Sequence, residues 1–160
     1  MNRAGRKVAL VTGSCGGIGR ALVKKYAAQG LALALADREQ SATESFVSEI
    51  NLKGGEAKSF AGDLTDQSYC DSLPLQVFNQ FGRIDILVNN AGLIRRGKIT
   101  DTSDEDFSLS IAVNVEAPFR LVRATIPIME KAGGGSIVNT SSCWGVYPGP
   151  DHLIYCTTKA

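Results

Sequence analysis

Short apolar runs rich in Val, Leu and Ala alternate along the chain with longer stretches whose apolar positions recur at helical spacing. The runs at 7–12, 31–37, 56–61, 85–89 and 136–140 read as strands. Helical patterns occupy about 18–29, 42–53, 67–81 and 104–132, and Ser41 with Glu44 has the spacing of a capping box opening the second. Glycines 133–135 read as a helix stop before the last strand. Strand and helix in strict alternation predict an α/β fold, a parallel sheet covered on both faces. No repeat, low-complexity segment or linker interrupts the pattern, so residues 1–160 are expected to form one domain around a single sizeable core.

Composition narrows the function classes. A net charge of +1 and a pI near 7.6 offer no general attraction for nucleic acid or an anionic membrane. The longest strongly apolar run, LALALA at 31–36, is far short of the roughly 20 residues that span a bilayer. The apolar stretch at 8–11 is too short for a secretory signal. Cys15, Cys70, Cys143 and Cys156 show neither CxxC nor zinc-ligand spacing, which predicts reduced thiols in a cytoplasmic protein. His152 is the sole histidine, so no histidine-based metal cluster is expected.

Candidate chemistry begins with TGSCGGIG, residues 12–19, between the first strand and the first helix. Gly13, Gly17 and Gly19 let the backbone turn sharply and approach a pyrophosphate, while the helix behind them offers free N–H groups and a positive dipole end. Asp37 closes the second strand about 20 residues on, where a carboxylate accepts hydrogen bonds from both adenosine ribose hydroxyls and repels a 2'-phosphate. NAD is therefore favoured, although the adjacent Arg38 could attract the phosphate of NADP.

With these residues the chain resembles the classical short-chain dehydrogenase/reductase family from about residue 5 to residue 160. The glycine spacing TGxxxGxG is that family's variant; GDL at 62–64 resembles its adenine-contacting segment; NNAG at 89–92 and SIVNTSS at 136–142 match its motifs on the fourth and fifth strands. Tyr155 and Lys159 match YxxxK, and Ser142 lies thirteen residues before Tyr155, as the family's active serine does. The resemblance implies a Rossmann-like doubly wound parallel sheet of order 3-2-1-4-5 that lacks the family's later strands. It implies a cofactor site built from Gly13, Ser14, Gly17, Ile18, Gly19, Asp37, Asp63, Leu64, Asn90, Ala91, Gly92, Tyr155 and Lys159. It implies a catalytic set of Asn114, Ser142, Tyr155 and Lys159, no metal, and a homo-oligomer for a completed chain.

The chemistry of these residue types stands beside the resemblance. Hydride transfer between an alcohol and a nicotinamide needs a proton to leave or reach the same oxygen, and a general acid/base must sit beside it. Positions i and i+4 share a helix face, so Lys159 can stand next to Tyr155, where its ammonium favours the phenolate. Pro118 lacks the N–H that would bond the Asn114 carbonyl, so the helix is predicted to bend there and free that carbonyl for a water. The family implies a proton relay through that water to the lysine, with Ser142 bonding the substrate oxygen and Lys159 the nicotinamide ribose.

The substrate expected is a small alcohol or carbonyl compound. Arg95 and Arg96 in GLIRRGK, 92–98, fall on a loop at the carboxyl end of the sheet and suit a carboxylate or phosphate, a pattern resembling members that act on sugar acids. Trp144, Tyr147 and His152 lie in the segment that borders the substrate in this family. From 151 to 160 only about nine residues remain for the helix of Tyr155, below the ~12 at which an isolated helix is marginal. A loosely held helix and an open edge beside the fifth strand are therefore expected. Two readings remain: an NAD-dependent alcohol dehydrogenase or carbonyl reductase, and a nucleotide-binding or interaction fragment without turnover.

Overall fold

The computed structural model describes residues 5–160. Five strands, β1 (Val8–Thr12), β2 (Ala32–Ala36), β3 (Glu56–Ser59), β4 (Ile86–Asn89) and β5 (Ser136–Asn139), form one sheet in the order β3-β2-β1-β4-β5. Every pairing is parallel. The connecting helices are α1 (Gly17–Ala28), α2 (Gln40–Leu52), α3 (Gln67–Phe81), α4 (Asp104–Ile111) and α5 (Ala117–Lys131), and a short α6 (Leu153–Lys159) follows β5. This is the doubly wound order that the resemblance implies.

The all-apolar composition of the central strands follows from burial on both faces. In β1, Val8 and Leu10 join Leu73, Val77 and Leu121 on the side of α3 and α5, whereas Ala9 and Val11 join Val23, Phe46 and Ile50 on the side of α1 and α2. Every residue of β1 and β2 is buried, so neither strand has a face that could tolerate alternation. At the margin, β5 leaves Val138 45% exposed, consistent with its position as the edge strand. Asp85, just ahead of β4, sets the register: its carboxylate accepts the Val8 N–H at 2.8 Å and is gripped by Arg83.

Two local expectations change. The second helix begins at Gln40 with Glu39 as its cap, two residues earlier than the pattern suggests. Ser41 thus lies inside the first turn, Glu44 bonds the Gln40 side chain, and the predicted capping box does not form. The helical stretch 104–132 is two α-helices joined by a π-helical turn, Ala112–Glu116, in which the Ala117 N–H donates to the Ala112 carbonyl. The expected irregularity at Pro118 is therefore a widened turn just ahead of the proline, which lies at the start of α5 and donates no N–H back to the π-helical turn.

Candidate active site

The carboxyl ends of the strands open into a cavity of about 630 Å³. Its floor is the glycine loop. Gly13 has φ +60°, and a Cβ there would lie 2.8 Å from the Ala91 Cα; a Cβ at Gly19 would overlap the Gly13 carbonyl. Above Gly17 nothing lies within 4 Å, so the space over the start of α1 is open. That helix has no side-chain cap, which leaves its first N–H groups for a ligand. Ile18 borders the cavity, whereas Ser14 is buried behind the loop, its N–H donating to the Ala36 carbonyl.

At one end stand Asp37, Asp63 and Leu64. The Asp37 carboxylate accepts the Cys15 N–H and the Arg38 N–H, each at 2.8 Å, and so braces the glycine loop while facing the cavity. Asp63 accepts the Thr65 N–H and hydroxyl, both at 2.9 Å. Tyr69, which the sequence reading passed over, also borders this end: its ring lies against Gly62 and its hydroxyl donates to the Phe60 carbonyl. Burial pushes its phenol well above the ordinary range. Its position in an ordinary-looking α3 gave no signal.

At the other end Asn90, Ala91 and Gly92 border the cavity. The Asn90 side chain donates to the carbonyls of Thr12 and Gly13 at 3.1 Å, stitching this motif to the glycine loop. Gly92 is the meeting point. A Cβ on it would lie 3.5 Å from Lys159 Nζ and 3.6 Å from Asn114 Oδ1, so the ammonium and the amide stand directly behind the cavity's inner end.

Tyr155 and Lys159 share one face of α6, with Nζ 6.0 Å from the phenol ring centroid. Nζ donates to the Thr140 carbonyl at 2.8 Å, and burial holds the ammonium's pKa below its usual value. Ser142 accepts the Trp144 N–H at 3.2 Å and keeps its own proton for another partner. The indole packs edge-on to Tyr155 at 6.1 Å and close against His152 at 3.9 Å. Tyr147, by contrast, is exposed. The buried His152 ring places Nδ1 2.6 Å from the Pro150 carbonyl.

The expectation of a loosely held α6 is corrected. Seven residues suffice because tertiary contacts, not length, hold the helix. Ile154, Cys156 and Thr158 are buried, the Ser141 hydroxyl donates to the Lys159 carbonyl, and the Asn114 amide donates to the Thr158 hydroxyl. Of the paired arginines, Arg95 borders the cavity at the carboxyl end of the sheet, where the loop is expected. Arg95 Nε lies 2.7 Å from an Asp106 carboxylate oxygen, close enough for an ion pair but without hydrogen-bond geometry, so its charge is already matched. Arg96 is exposed. Among the described residues no cluster of acidic, Cys or His side chains could hold a metal, and no helix is long and apolar enough to cross a membrane.

The short chain dehydrogenase family profile matches residues 7–160. An uncharacterized oxidoreductase of Thermotoga maritima is 39% identical over 154 residues, covering 96% of this chain and 61% of the relative. A 2,5-dichloro-2,5-cyclohexadiene-1,4-diol dehydrogenase of Sphingobium indicum is 36% identical over 159 residues, covering 99% of this chain and 64% of the relative. The chain thus spans less than two thirds of the length of either curated relative. The solved structure of an NAD+-bound xylitol dehydrogenase superposes with a TM-score of 0.90 at 36% identity, over 96% of this chain and 59% of that one. By sequence profile, relatives and superposed fold alike, the chain belongs to the short-chain dehydrogenase family.

Proposed function

We propose that the protein is an NAD(P)-dependent oxidoreductase that moves a hydride between a nicotinamide and an alcohol or carbonyl compound. The observation that carries this reading is the junction at Gly92, which borders the cavity on one side and has the Lys159 ammonium and the Asn114 amide within 4 Å on the other. The residues present fit a nicotinamide dinucleotide: an open glycine loop before an uncapped helix for its pyrophosphate, and Asp37 for a ribose. When bound, its nicotinamide supplies the hydride acceptor or donor.

The chain's own groups handle the proton. Tyr155 takes the proton from a substrate hydroxyl, or returns it to a carbonyl oxygen, as the general acid/base. Ser142, with its hydroxyl proton free, bonds the same oxygen. Lys159, on the same face of α6 as Tyr155, holds the nicotinamide ribose. Asn114 lies buried beside Lys159 in the π-helical turn, where its backbone carbonyl would hold a relay water.

NAD is the preferred cofactor on the strength of Asp37, with NADP as the competitor. For the substrate, the Arg95–Asp106 pair weakens the case for a sugar acid, while diol and xylitol dehydrogenases among the similar proteins support a polyol or diol. The test is a screen of polyols, sugar acids and hydroxy acids followed by NADH absorbance. Reduction of NAD by a polyol, abolished in Tyr155→Phe, supports the reading; cofactor binding without turnover on any of the three classes favours a binding module instead.

A further inference from the structure

Thr158 occupies one of the unspecified positions of YxxxK, yet it is buried and its hydroxyl is fully engaged. The Asn114 side chain fixes the direction of every bond around it. Asn114 Oδ1 accepts the Leu93 N–H at 2.8 Å, and Nδ2 donates to the Leu93 carbonyl at 2.9 Å, so the reciprocal pair settles which end of the amide is nitrogen. The second N–H on Nδ2 goes to Thr158 Oγ1 at 2.9 Å. Thr158 therefore accepts from Asn114 and spends its single proton on the Tyr155 carbonyl, also at 2.9 Å. The chain runs from the loop after β4 through the π-helical turn into the helix that carries Tyr155 and Lys159.

We infer that Thr158 is a positioning residue for the acid/base pair: the strut Asn114 Nδ2–H to Thr158 Oγ–H to the Tyr155 carbonyl locks α6 in register with the loop that borders the nicotinamide end of the cavity. This rests on the reading of Tyr155 as the acid/base. Both N–H groups and the amide oxygen of Asn114 are consumed, so its side chain has no donor left for a ligand and acts through α6. The grip matters because α6 is only seven residues long and makes few hydrogen bonds of its own. On its other flank the helix is met by the Ser141 hydroxyl and by Gly145, where any Cβ would overlap the Lys159 carbonyl. With Thr158 loosened, the phenol and Lys159 drift while the glycine loop and the adenosine end of the cavity stay intact.

Thr158→Val keeps the shape and removes the hydroxyl; Thr158→Ser restores it. In the full-length protein, Thr158→Val is expected to lower kcat by about tenfold to a hundredfold, the cost of a displacement near 1 Å, and to weaken cofactor binding by less than that, through the neighbouring Lys159 alone. Amide hydrogen exchange across residues 153–160 is expected to rise about tenfold in the Val variant while β1 to β4 keep their protection. Thr158→Ser is expected to match the parent in both measurements. Parental turnover and exchange in Thr158→Val, or a Ser variant as impaired as Val, would overturn the inference. Tyr155→Phe is run alongside: if it retains parental turnover, the acid/base reading fails, and the exchange data still decide whether the strut holds α6.

Discussion

Replacing Asp37 by Ser should collapse the proposed preference for NAD. The carboxylate stands in the cavity where the adenosine ribose is expected, with one oxygen on the Cys15 N–H and the other on the Arg38 N–H, each at 2.8 Å. Both oxygens keep lone pairs for the ribose diol. A hydrogen bond to a charged group is worth about 1.5–3 kcal/mol, so losing the carboxylate should weaken NAD binding about 10-fold to 100-fold. NADP should bind no worse, and better where repulsion of its 2'-phosphate had been limiting. A second effect is separable. Serine satisfies at most part of the Cys15 and Arg38 bonding, so the glycine loop loosens at a cost of about 1 kcal/mol, a fall in Tm of about 3 °C. Calorimetric titration of both cofactors, with a thermal melt of each protein, checks both numbers. An NAD affinity changed less than about threefold, or a parent that binds NADP more tightly, would refute the assignment of Asp37.

Tyr155→Phe should leave NAD affinity within about twofold and reduce turnover at least 100-fold, read by calorimetry and NADH absorbance; near-parental turnover would require another proton carrier. Gly13→Ala should cost about 1–3 kcal/mol and impair dinucleotide binding, because φ is +60° and a Cβ would press on the Ala91 Cα at 2.8 Å; chemical denaturation and a cofactor titration report it. Asp85→Asn should cost about 1–3 kcal/mol at neutral pH, since the carboxylate holds both Val8 and Arg83. Burial alone would raise the Asp85 pKa, but the Arg83 hydrogen bond, the Val8 N–H and the nearby positive charges outweigh it and hold the pKa below the usual value. The stabilisation is therefore complete above the ordinary carboxylate pKa of ~3.9 and disappears as pH falls through the lower folded-state value, so urea melts of parent and variant should converge in acid.

What the sequence made legible was whatever depends on local pattern. Unbroken apolar runs marked β1 and β2 because both faces of a central strand are buried, and the glycine loop and YxxxK carry their chemistry in residue type and spacing. Features that depend on which partner a side chain meets were not legible. Ser41 and Glu44 have capping-box spacing, yet α2 starts earlier, and nothing local reveals that. Arg95 resembles a free anion hook until Asp106, eleven positions away, is seen beside it. Thr158 looks interchangeable in a motif that specifies only its ends, and its value appears once Asn114, remote in the chain, is brought to it.

The π-helical turn at Ala112–Glu116 makes this region sensitive to chain length in a way no substitution scan would show. Each helical residue advances the side-chain direction by about 100°, and a π-turn absorbs one more residue than an α-turn. The extra residue is what allows α4 to face α6 while α5, continuous with it, faces α3. Deleting one residue here would restore a regular helix and rotate one half against the other by about 100°, separating Asn114 from Leu93 and Thr158 or α5 from α3. Homologues that diverge freely in sequence along this helix should therefore keep its residue count, and alignment gaps should fall at its ends, not within it.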